Sequence, residues 1–95
     1  MPATARVRLT RQAVRRFREQ EAWHLARDPR VAVRFGRDVE RVLAMLAEHL
    51  GAGRQVPGKR SRFCVTSRYR FRIVHRIVAD EVVILTIFHP RQSGP

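Results

Sequence analysis

Between Tyr69 and His89 the sequence holds two extended, strongly apolar stretches separated by only two residues, Ala79 and Asp80. No other feature restricts the fold as much. YRFRIVHRIV and EVVILTIFH are rich in β-branched and aromatic residues, and so short a connection folds the second back on the first as an antiparallel hairpin. Side chains alternate across a strand. In the first stretch Tyr69, Phe71, Ile73, His75 and Ile77 share one side, and Arg70, Arg72, Val74, Arg76 and Val78 the other. The second is apolar on both sides, with Val82, Ile84, Thr86 and Phe88 opposed to Val83, Leu85 and Ile87. That is the pattern of a strand with neighbours at both edges.

Ahead of the hairpin, RFCVTS from Arg62 reads as a third, shorter strand, preceded by the aperiodic loop GAGRQVPGKRS. From Asp28 to Gly51 the period becomes helical. Val31, Phe35, Val39, Val42, Leu43, Leu46 and Leu50 fall on one stripe. Asp28 suits the N-cap, Pro29 the first helical position, and Gly51 a left-handed C-cap. Gly36 weakens this helix by about 1 kcal/mol relative to alanine. RQAVRRFREQEAWHLAR, residues 11–27, predicts an earlier helix capped by Thr10, with Val14, Phe17, Glu21 and Leu25 on a face beside Ala13. Ala5, Val7 and Leu9 alternate with Arg6 and Arg8 in a short first strand. The order β-α-α-β-β-β over one domain, residues 1–95, predicts an α+β fold of two layers. An antiparallel sheet packs on a helical hairpin and leaves its other face at least partly open.

Charge narrows the function. Twenty Lys+Arg stand against eight Asp+Glu, a formal net charge of +12, and Lys59 is the only lysine. Arginine's planar fork matches phosphate and carboxylate, so the expected partner is polyanionic: nucleic acid or an acidic protein segment. Arg70, Arg72 and Arg76 on one sheet side would cost several kcal/mol each if buried unpaired. That face is therefore wet, or it meets an anion. His89 closes the last strand beside Pro90 and Arg91. A histidine close to arginines can serve as acid or base when an RNA 2′-hydroxyl attacks its phosphate. His75, on the apolar side, reads as a buried structural histidine, and His24 and His49 as surface residues of the helices. The single cysteine, Cys64, excludes an internal disulfide and a cysteine-rich zinc site, and suits a reducing cytoplasm. No metal-ligand spacing, Walker loop or dinucleotide fingerprint occurs, so neither metal nor cofactor is expected. No apolar run approaches the ~20 residues of a membrane span, and the first ten residues lack a signal peptide's apolar core.

Three stretches in order carry a family resemblance: VRLTRQAVRRF, then RFGRDVERVLAMLAEHLGAGRQVPG, then FRIVHRIVADEVVILTIFHPR. Together they resemble the RelE/ParE superfamily of toxins from type II toxin–antitoxin systems, often labelled plasmid stabilisation proteins. The resemblance implies a growth inhibitor neutralised by a small antitoxin that wraps it with a helix and an extended segment. An acidic, partly disordered antitoxin would suit this charge. Assembly stays open between a homodimer and a hetero-oligomer with the antitoxin. Two activities share the family. A ParE-like toxin inhibits DNA gyrase, and here its active surface would be the helical hairpin and the tail from His89 to Gln92. A RelE-like toxin cleaves mRNA on the ribosome, and here Arg72 and His89 would be catalytic. Arg70, Lys59 and Arg62 would then hold phosphate, with Arg76 and Arg91 as further basic contacts. RelE-like nucleases usually add a tyrosine, and none follows His89, which favours the ParE-like branch. A plain nucleic-acid-binding module would need charge alone, and the aromatic content of 7% offers it no stacking platform on the open face.

Overall fold

The computed structural model describes residues 4–91. Strand β1 (Val7–Leu9) leads into helices α1 (Arg11–Arg27) and α2 (Pro29–Glu48). Strands β2 (Arg54–Gln55), β3 (Arg62–Val65), β4 (Arg72–Val78) and β5 (Glu81–Phe88) follow. They form one sheet in the order β1-β5-β4-β3-β2. The two-layer α+β architecture is the one expected, and β5 has a neighbour on each side. The sheet is mixed, however, because β1 runs parallel to β5 while the other pairs are antiparallel. Alternation reads the same in both directions, so a strand's pattern cannot encode its orientation. The loop also yields the two-residue β2, whose Arg54 and Gln55 pair with Phe63 and Arg62.

Thr10 joins the two layers. Its hydroxyl donates to the Leu85 carbonyl at 2.8 Å and accepts the Ala13 N–H at 3.1 Å. One side chain thus ties the end of β1 to β5 and caps α1. Asp28 caps α2 through the Arg30 N–H, with Pro29 next. The core sets Ala13 of α1 and Phe35, Val39, Val42 and Leu46 of α2 against Phe71, Ile73, Val82, Ile84 and Ile87.

Four local expectations are corrected. Helix α2 ends at Glu48 with His49 as its C-cap, and the left-handed glycine is Gly53 (φ 101°), not Gly51. Leu50 therefore lies past the helix and is exposed. On α1 the buried residues are Ala13 and His24, whereas Leu25 is 55% exposed. This helix packs on both α2 and β5. Ala13 and Phe17 of the expected face do meet the core, with Phe17 stacked on Phe35 at 5.3 Å, but towards its C-terminal end the buried face turns to His24 and away from Leu25. His24 is consequently a core residue. Finally, β4 starts at Arg72; Tyr69 and Arg70 belong to the turn before it, with Arg70 at φ 60°.

The β4–β5 connection is the expected two-residue turn, with Ala79 and Asp80 both at positive φ (49° and 63°), as a right-twisted hairpin requires. Within the hairpin Val74 pairs with Thr86 but His75 pairs with Ile84, so Leu85 is an extra residue in β5. A bulge of one residue reverses the alternation beyond it. Ile87 thereby joins Val82 and Ile84 on the helix side, fully buried, and Thr86 and Phe88 move to the open side. Regular alternation puts Ile87 and Phe88 on the opposite sides.

Candidate functional site

The open face is built from β4 outward. Arg72, Val74 and Arg76 are paired there with Phe88, Thr86 and Val83 of β5, and Phe63 of β3 lies beside Val74. The Arg72 guanidinium stands over the Phe63 ring at 5.0 Å. Phe63, Arg72, Val74, Thr86 and Phe88, together with Lys59 from the loop, line a cleft of about 460 Å³, and Arg76 lies outside it. Arg70 and Arg72 share a second cleft with Arg54. At the far edge Glu81 draws Arg6 and Arg8 to 3.9 and 3.8 Å. Among the described residues no carboxylate lies within ion-pair distance of Arg70, Arg72 or Arg76. The open face thus keeps uncompensated positive charge next to apolar surface.

Two expected members lie elsewhere. Arg62 pairs with His75 in the ladder and therefore points to the helix side. There it donates to the Gly53 carbonyl at 3.1 Å. His89, one residue past Ile87 and Phe88, falls on the helix side for the reason the bulge supplies. Its ring meets the edge of Phe71 at 5.2 Å. Arg72 and His89 thus sit on opposite faces of the sheet. The Arg91 N–H donates to His89 Nδ1 at 3.0 Å, so the neutral ring carries its proton on Nε2. Gln92, the end of the expected active tail, lies outside the described residues.

On the helix side His89 lines a pocket of about 350 Å³ together with Gln20, Trp23, His24, Tyr69 and Phe71. The His24 ring lies 5.1 Å from Trp23, 5.1 Å from Phe35 and 5.6 Å from Tyr69. Burial, then the Arg27 charge, push its pKa below the usual imidazole range. Arg27 itself stacks on the Trp23 ring at 3.6 Å. Trp23, Tyr69 and Phe71 are gathered here, whereas Phe63 and Phe88 stand on the open face.

Sequence reasoning missed Asp38. It is buried on α2 and accepts the Arg68 N–H at 3.1 Å, the Tyr69 N–H at 3.0 Å and the Ser67 hydroxyl at 3.2 Å. Burial alone would raise its pKa. The bonds from Tyr69, Thr66, Arg68 and Ser67 outweigh burial and hold it below the usual carboxylate range. The signal was available, since Asp38 sits among Phe35, Val39 and Val42 on the apolar stripe, where a carboxylate survives only with partners. His75 is fully buried as expected, its Nε2 at 3.7 Å from Cys64 Sγ. Burial, then the Arg62 charge, lower its pKa, and burial pushes the Cys64 thiol up.

Among the described residues no helix is long and apolar enough to cross a membrane. The structure resembles that of the chromosomal ParDE toxin–antitoxin system from P. aeruginosa, with 21% identity and a TM-score of 0.80 over 90% of this chain and 96% of that one. It also resembles the RelBE2 toxin–antitoxin complex from Mycobacterium tuberculosis, with 21% identity and a TM-score of 0.60 over 94% of each chain. No curated protein matches the sequence. The family model for the ParE toxin of type II toxin–antitoxin systems, parDE, matches residues 7–94, which spans every element from β1 to β5 and the segment carrying His89. With the strand order, the helical hairpin and the basic sheet face all accounted for within that match, the chain belongs to the ParE toxin family of the RelE/ParE superfamily.

Proposed function

We propose that this toxin inhibits DNA gyrase without cutting nucleic acid, and that an acidic cognate antitoxin neutralises it. The supporting observation is the separation of Arg72 from His89. A general acid or base must come within about 2.6–3.2 Å of the proton it moves, while a cation stabilises charge on the same phosphate. With the sheet between them, the two side chains do not converge on one phosphate. In this reading the open-face arginines, Arg72 and Arg76 with Lys59, receive the acidic antitoxin segment. The helical hairpin and the segment His89–Arg91 meet the target. The antitoxin would fold on binding, its carboxylates pairing with the guanidinium groups of the open face.

The deciding experiment frees the toxin from its antitoxin and divides it between plasmid supercoiling by gyrase and mRNA integrity in a translating extract. Blocked supercoiling with intact mRNA is the expected result. Cleaved mRNA with normal supercoiling would overturn the proposal and make the Arg72 face a nuclease surface. Arg72→Ala should weaken antitoxin binding and spare gyrase inhibition.

A further inference from the structure

We infer that the α1 side of this toxin carries a binding site for single-stranded nucleic acid, with one base stacked in the aromatic pocket and its phosphates held by a neighbouring cluster of arginines. The first half of the site is the pocket between Trp23 and Tyr69. Trp23 is 50% exposed although it is the largest side chain in the protein. The Arg27 guanidinium stacks on one face of its ring at 3.6 Å, so a base would stack on the other face or displace Arg27. His24 is 8% exposed, and among the described residues its Nε2 has no hydrogen-bond partner. Gln20 adds an amide that can both donate and accept. Two aromatic faces with polar groups beside them are the means by which unpaired bases are held.

The second half is a pocket of about 230 Å³ lined by Arg34, Arg37, Arg41, Arg68 and Asp38. Asp38 is already engaged by the Ser67–Tyr69 turn and by Arg41 at 3.3 Å. Among the described residues Arg34, Arg37 and Arg68 have no ion-pair partner. The turn that Asp38 clamps supplies Arg68 to this pocket and Tyr69 to the aromatic one, and the Arg68 guanidinium lies 6.0 Å from the Tyr69 ring. Ring and cation are thus adjacent, as base and phosphate are in a nucleotide. An acidic peptide would satisfy the arginines but would gain nothing from stacking faces, and a duplex presents no free base face.

Trp23 is the only tryptophan, so its fluorescence reports on the pocket directly. The full chain would be titrated with single-stranded DNA and RNA of about eight nucleotides, the matching duplex, an abasic strand and polyglutamate. The expected result is saturable quenching by single strands, DNA or RNA, with affinity about tenfold or more above that for duplex or abasic strand. With a labelled strand read by anisotropy, Trp23→Ala, an exposed position whose folding is checked by circular dichroism, should weaken binding about tenfold. Arg34→Ala and Arg37→Ala should each flatten the dependence of log affinity on log salt, by about 0.7 in slope for every phosphate that is no longer neutralised. Equal affinity for single-stranded, duplex and abasic forms would overturn the proposal in favour of bulk charge. Polyglutamate binding that depends on Trp23 while strand binding does not would overturn it in favour of a protein partner.

Discussion

Asp38 carries more of the architecture than its single charge suggests. It links α2 to a turn about thirty residues later through two backbone N–H groups and the Ser67 hydroxyl, and so sets where β4 begins. Asp38→Ala would leave the partly buried Arg68 and Tyr69 N–H groups without their acceptor, towards the lower end of the about 1–3 kcal/mol that an unsatisfied buried group costs. We expect a loss of about 2–4 kcal/mol in chemical denaturation, with Asp38→Asn intermediate because one acceptor oxygen remains. Gly53 is the second such residue. A Cβ there would lie 2.9 Å from His75 Nε2, 3.0 Å from the Phe63 carbonyl oxygen and 3.2 Å from Cys64 Sγ, at φ 101°. Gly53→Ala should cost about 2 kcal/mol or more from backbone strain and crowding together. A melting temperature equal to wild type would contradict that expectation. Both residues lie in recognisable contexts, a carboxylate on an apolar stripe and a glycine in a loop. What each one touches was not legible, because the contacts come from β3, β4 and the turn between them.

At the scale of elements, the strongly periodic segments formed where expected and the weakly periodic one rotated. Helix α2 buries Phe35, Val39, Val42 and Leu46 as its stripe predicts. Helix α1 has no comparable stripe, so its two neighbours decide its face, and His24 is buried in place of Leu25. Gly36 of α2 faces Phe17 of α1. A Cβ at this position would reach the Phe17 ring at 4.0 Å, an ordinary contact. The glycine therefore serves no close crossing, and Gly36→Ala should stabilise the protein by about 0.5–1 kcal/mol, since the helix gains propensity and meets no clash. Thermal melting would show it as a rise of about 4–8 °C per kcal/mol. In β5 the bulge at Leu85 has the largest consequence for function, because it sends His89 to one face and leaves Arg72 on the other. Nothing in EVVILTIFH marks it, as both sides of the strand are apolar and either parity buries hydrophobic surface.

For the whole molecule, two buried histidines tie stability to pH. His24 and His75 both titrate below the ordinary value of 6.5 in the fold, chiefly because burial disfavours the charged ring. The unfolded chain takes up protons near that value and the folded chain does not. Below about pH 6.5 the unfolded state therefore binds more protons, and stability falls as the pH drops, by about 1.4 kcal/mol per pH unit for each proton of difference. Asp38 acts in another window. Its lowered carboxyl contributes fully above the ordinary value of 3.8 and loses that contribution only as pH falls through the folded value. Denaturation at pH 7.5 and 5.5 should thus show a decline that His24→Phe reduces. Identical midpoints at the two pH values would mean that the rings take up protons in the folded state. Over the same surface, charge is divided. Among the described residues, the sheet's open face keeps Arg72 and Arg76 with no acidic partner, and the opposite side pairs an arginine cluster with aromatic rings.

What the sequence determined by itself is short-ranged: helical and strand periods, the Thr10 and Asp28 caps, the two-residue hairpin turn, the strongly basic character and the family. All but the family depend on residues within a turn or two of one another, or on composition; the family resemblance rests on three motifs in order along the chain. The tertiary structure alone decided the parallel course of β1, the burial of His24, the turn held by Asp38 and the separation of Arg72 from His89. Those depend on which strand is paired with which, and on one unpaired residue in β5, Leu85. Because side chains alternate with a period of two, a single extra residue is enough to reassign every side chain beyond it to the other face.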